Sequence, residues 1–106
     1  MADLSDLKPV YLIHGPEQLL LDQAVSRLRK RLTEATEADL EFNLDVFDGE
    51  NVEASQIIGA ANTLPFMSER RLVVVRNADK LPTDGLNEIA DYAADPNPDT
   101  VLVLVA

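Results

Sequence analysis

The positions in this sequence that could do chemistry on a nucleotide hold residues that cannot. The apolar run Val10-Tyr11-Leu12-Ile13 ends at His14-Gly15, and a long helical pattern follows. This is the setting of a phosphate-binding loop, G-x-x-x-x-G-K-[ST]. There, backbone N–H groups cradle phosphates, a lysine reaches the β- and γ-phosphates, and a hydroxyl ligates magnesium. Counted from Gly15, the second glycine, the lysine and the hydroxyl residue are replaced by Leu20, Leu21 and Asp22. A carboxylate at position 22 repels phosphate. A nucleotide site also needs an acidic residue directly after an apolar strand, to hold magnesium. Here Val73-Val74-Val75 runs into Arg76-Asn77-Ala78, and the first acid is Asp79. Two independent absences argue against ATP, and no cofactor is expected.

Other chemistry is sparse. His14 is the sole histidine. It stands at the end of a strand, where α/β enzymes often keep working residues, yet no Ser-His-Asp set can be argued and there is no cysteine to pair with it. A junction histidine bonded to backbone is the simpler reading. The pairs Asp45/Asp48 and Glu34/Glu37 are no more than a chain with 19 acidic residues produces by chance, and nothing points to a metal. Arg27, Arg29, Lys30 and Arg31 surround Leu28. They read as a solvated helix face rather than a docking patch, given the acidity of the rest.

The elements that position these residues alternate regularly. Strands are expected over 10–14, 41–47, 71–76 and 100–105, and helices over 17–36, 52–63 and 84–94. Leu21, Val25, Leu28 and Leu32 form one helical stripe. Ile57, Ile58 and Ala61 should face inward, and Pro65 should close the second helix because proline disfavours helical geometry in the residue before it. Phe42, Leu44 and Val46 alternate with polar residues, as on an edge or half-exposed strand, whereas Leu72-Val73-Val74-Val75 reads as a strand buried on both faces. The βαβαβαβ order implies an α/β fold, a parallel sheet with helices on both faces, built like a P-loop ATPase with a degenerate phosphate loop. The sequence stops at Ala106, on the fourth strand. A piece of a longer polypeptide, truncated after that strand, is expected.

Composition narrows the function classes. With 106 residues and 46% hydrophobic content, a single packed domain is expected. A net charge of −10 argues against gripping DNA, RNA or an anionic membrane. The acidic N-terminus is no signal peptide, and no apolar run approaches the roughly 18 residues of a membrane span. The absence of cysteine fits a reducing cytoplasm. One oddity remains. Leu64, Phe66 and Met67 crowd the connection from the second helix to the third strand. They either fold back over the core or are offered to a partner, and packing alone ranks the core role first.

The ordered set Val10-Tyr11-Leu12-Ile13-His14-Gly15-Pro16-Glu17, Phe47-Asp48-Gly49, Leu64-Pro65-Phe66-Met67-Ser68-Glu69-Arg70-Arg71-Leu72-Val73-Val74-Val75-Arg76-Asn77-Ala78 and Pro98-Asp99-Thr100-Val101-Leu102-Val103-Leu104 resembles the delta subunits of bacterial DNA polymerase III. The resemblance covers nearly everything from Pro9 onward. It implies an N-terminal AAA+-like domain, residues 1–106, of a clamp-loader subunit that does not hydrolyse ATP. It also implies a role in DNA replication, binding the sliding clamp (the beta subunit) and helping to open it. The parent family is classed with DNA-directed DNA polymerases, but this domain would be non-catalytic. Other clamp-loader subunits would be joined through C-terminal parts absent here. The clamp contact is implied at Leu64, Pro65 and Phe66, which reverses the ranking above. Pro65 stands where leucine is common and Ala61 where some members have glutamine, so Leu64 is expected to supply the aliphatic anchor. The superfamily's sheet order places strand four between strands one and three. The rival readings are a nucleotide-binding α/β enzyme with an unusual phosphate loop, and an ATPase-superfamily scaffold domain with another partner.

Overall fold

The computed structural model describes residues 8–36 (side chains to residue 31), 44–64 and 70–106. Branched apolar side chains suit a pleated, two-faced surface, and the two richest runs form the centre of the sheet. These are β3 (Arg71–Arg76) and β4 (Thr100–Val105). β1 (Val10–Ile13) lies outside β4 and β2 (Leu44–Asp48) outside β3, giving the order β1-β4-β3-β2 with every neighbour parallel. In β3 and β4, register pairs Leu72 with Val101 and Val74 with Val103. Strand four does lie between strands one and three, as the resemblance implies.

Period-two alternation divides the core in two. Leu72, Val74, Val101 and Val103 meet Leu21 and Val25 of α1 (Gln18–Thr36), with Leu28 half-buried beside them. Val73, Val75 and Leu102 face the other way. They meet Ala54, Ile57 and Ala61 of α2 (Ala54–Ala61) and Ile89 and Tyr92 of α3 (Thr83–Ala94). Helices therefore cover both faces, as expected of a parallel sheet. Ile58 is half-buried at the rim rather than in the interior. The edge strands differ from the centre: Leu12 of β1 and Val46 of β2 are exposed. Phe42, Leu32 and Pro65, assigned roles from the sequence, lie outside the described residues or side chains.

Several boundaries differ from the sequence reading: β1 ends at Ile13, β2 at Asp48, α1 starts at Gln18 and α3 at Thr83, each one residue from the expected bound. α2 begins at Ala54, not 52, because Glu53 is extended and its N–H donates to the Gln56 side chain at 3.0 Å. It ends at Ala61, ahead of any influence of Pro65, where side chains from a distant segment take its last carbonyl. Asp79, the first acid after β3, lies in a single 3₁₀ turn, Ala78–Lys80.

At one corner the backbones of two strands nearly touch. Gly49 follows β2 and donates its N–H to the Arg76 carbonyl at 2.7 Å. A Cβ there would stand 2.2 Å from the Asn77 carbonyl oxygen. Asp48 Oδ1 closes the corner, accepting from Glu50 N–H at 2.9 Å and from Asn77 Nδ2 at 3.3 Å. Gly49→Ala should therefore lower stability by about 1–3 kcal/mol, the usual size of an overpacking penalty. Gly59→Ala meets no atom within 4 Å and should raise stability by about 0.5–1 kcal/mol, the helix preference of alanine over glycine. Urea unfolding of both variants checks the contrast.

Candidate functional site

The first place to look is above the C-terminal ends of the strands, where parallel sheets bind ligands. Helix α1 starts at Gln18, so Leu20, Leu21 and Asp22 lie inside it rather than in a loop. The Leu21 N–H donates to the Glu17 carbonyl at 3.3 Å. That amide is spent within the helix and cannot join a nest of N–H groups around a phosphate. The Leu21 side chain is buried in the α1-side core, the opposite of a lysine reaching outward.

Asp22 and Arg76 meet across this site. Arg76 donates to Asp22 Oδ1 at 2.8 Å and Gln18 donates to the same oxygen at 3.1 Å. A carboxylate thus stands where the nucleotide motif has its hydroxyl, and a guanidinium where it has its acid. The two satisfy each other in a cleft lined also by Leu21, Asn77 and Val105. The hydrogen bond from Arg76, and then that from Gln18, hold the Asp22 carboxyl below its usual value. The sequence shows both substitutions separately; the signal that would have joined them is their opposite charge.

His14 is exposed. Arg27, Arg29 and Lys30 are exposed while Leu28 packs into the core, as a solvated helix face requires. Among the described residues no group of three or more His, Cys, Asp or Glu side chains could hold a metal ion.

The second place is the C-terminal end of α2. Leu64 is 75% exposed, more than any other large apolar side chain described. It is no lid on the core, contrary to the role that packing alone ranked first. Pro65 and Phe66 lie outside the described residues. The helix end that carries Leu64 is fixed by distant residues that sequence reasoning missed. The Ala61 carbonyl accepts from Thr100 Oγ1 at 2.7 Å and from Asn97 Nδ2 at 3.1 Å. A hydroxyl on the first, fully buried residue of an otherwise apolar strand was the available signal.

The DNA polymerase III, delta subunit, family model matches residues 11–106. The chain belongs to the DNA polymerase III delta subunit family. DNA polymerase III subunit delta of Bacillus subtilis strain 168 is 39% identical over 109 residues, which cover 95% of this chain and 31% of that protein. The solved structure of the Bacillus subtilis DNA clamp loader delta protein matches with a TM-score of 0.81 at 38% identity, over 95% of this chain and 32% of that one. A gamma subunit-related protein of DNA polymerase III from Thermotoga maritima shares the fold, with a TM-score of 0.73 at 18% identity, over 92% of this chain and 34% of its own. The fold is thus the AAA+-like α/β fold of clamp-loader proteins. This delta-family chain spans about a third of the length of the relatives it matches. No helix among its described residues is long and apolar enough to cross a membrane.

Two outcomes follow from the Asp22–Arg76 pair. Isothermal titration with Mg-ATP should give no heat of binding; a micromolar dissociation constant would overturn the reading of this site. Asp22 titrates lower in the folded state than unfolded, so its contribution is fully present above its unfolded value and disappears as pH falls through the folded one. Asp22→Asn should lower the unfolding midpoint slightly at pH 7, since each partner is 43% exposed and screened. The gap to the unsubstituted protein should close below about pH 4. A gap that does not change with pH would show that the pair is not its cause.

Proposed function

We propose that this chain is the N-terminal, AAA+-like domain of a delta subunit that binds the sliding clamp through Leu64, Pro65 and Phe66. In this reading it helps to open the clamp for loading onto DNA during replication in the cytoplasm. It does so without ATP chemistry of its own, and other clamp-loader subunits are held by parts of the polypeptide outside this domain. The observation that carries the reading is Leu64, the most exposed large apolar side chain described, at the end of α2 in a delta-family chain. An aliphatic or aromatic anchor gains most when it fills a desolvated pocket on a partner. Pro65 limits the conformations the segment loses on docking. A subunit that binds one conformation of the clamp better than another shifts the clamp toward it by binding energy alone.

Leu64→Ala should weaken clamp binding by about 2 kcal/mol or more, roughly 30-fold. It should leave the unfolding midpoint of the domain almost unchanged, because little packing is lost from an exposed side chain. Phe66→Ala should lower clamp affinity comparably. Affinity measured by surface plasmon resonance, with urea unfolding in parallel, checks both. Unchanged affinity in both variants would move the contact elsewhere.

A further inference from the structure

The segment that leaves α2 and the one that enters β3 are tied to the same short turn. On the α2 side, Asn97 and Thr100 donate to the Ala61 carbonyl. On the β3 side, the Arg71 N–H donates to the Asp99 carbonyl at 2.8 Å, and the Arg70 guanidinium donates to the Pro98 carbonyl. Between Ala61 and Leu64 the backbone is held further. The Thr63 N–H donates to the Ala60 carbonyl at 3.1 Å, and its hydroxyl donates to the Gly59 carbonyl at 2.8 Å.

Asn97 is the centre of this turn. Its N–H donates to the Tyr92 hydroxyl at 3.2 Å, and its Oδ1 accepts from the Asp99 N–H at 3.0 Å. Its carbonyl accepts from the Thr100 N–H at 3.3 Å, which leaves Nδ2 aimed at Ala61. Pro96 and Pro98 flank it and restrict the backbone on both sides. Thr100 and Ala61 are fully buried, so neither has water to fall back on if the bond between them is lost.

We propose that Asn97 and Thr100 are positioning residues for clamp binding: they fix the end of α2 so that Leu64 is presented in one direction. This rests on the reading of Leu64 as a clamp anchor and adds how the anchor is aimed. Neither residue touches the clamp. Their effect is to raise the fraction of molecules already in the binding-competent geometry, which multiplies the intrinsic affinity.

The test uses the intact delta subunit and its cognate sliding clamp. Thr100→Val removes the hydroxyl at nearly constant shape, and Thr100→Ser keeps it. Asn97→Asp keeps the acceptor for Asp99 but removes the donor to Ala61. Affinity is read together with amide exchange at Asn62, Thr63 and Leu64, with Ile89 as a core reference. If the competent fraction falls to about a tenth, Thr100→Val and Asn97→Asp should each bind about tenfold more weakly. Exchange should quicken at 62–64 and not at Ile89, and Thr100→Ser should bind like the unsubstituted protein. Two outcomes overturn the proposal alone: full affinity in Thr100→Val while Leu64→Ala loses it, or weaker binding with exchange rising equally at Ile89. Failure of the unsubstituted subunit to bind the clamp overturns the Leu64 reading and this proposal with it.

Discussion

The pairing of β3 with β4 is the constraint on which the rest of this domain depends. These strands are apolar on both faces, and each face is the floor of one core. Helix α1 has no other surface on which to bury Leu21 and Val25, and α2 and α3 have none for Ile57, Ala61, Ile89 and Tyr92. The edge strands attach to this pair, and so do both places of functional interest. Arg76 ends β3 at the cleft it shares with Asp22, and Thr100 begins β4 beneath the end of α2. A single two-stranded unit therefore sets the distance between them.

At the positions where a nucleotide motif has its hydroxyl and its acid, the side chains bond each other across the cleft. In this delta-family chain the two key positions carry opposite charges and close on each other. The acid at 22 and the base at 76 are a modest, half-exposed pair, screened by solvent.

What could be read in the sequence follows from how local each cause is. The bounds of β3 and β4 are visible directly, because a continuous branched run has few alternatives to a buried strand. The helical stripe of α1 is equally plain in Leu21, Val25 and Leu28. The ends of α2 were not legible. Its start depends on a side-chain bond between Glu53 and Gln56, and its finish on residues 36 and 39 positions away. The Asp22–Arg76 contact spans 54 positions. The sheet order came through resemblance to a family, since composition carries no information on which strands are neighbours. Leu64 was legible as an oddity, an apolar residue in a connection, but its exposure is a tertiary fact.

The bond from Thr100 to Ala61 also has a mechanical consequence. A pull applied at Leu64 does not end in a frayed helix terminus. It passes through the Ala61 carbonyl into the first residue of β4, and from there along the strand into neighbours on both sides, where many ladder bonds share it in shear. The exposed leucine thus stands three residues beyond a helix end that is bonded directly to a central strand of the sheet.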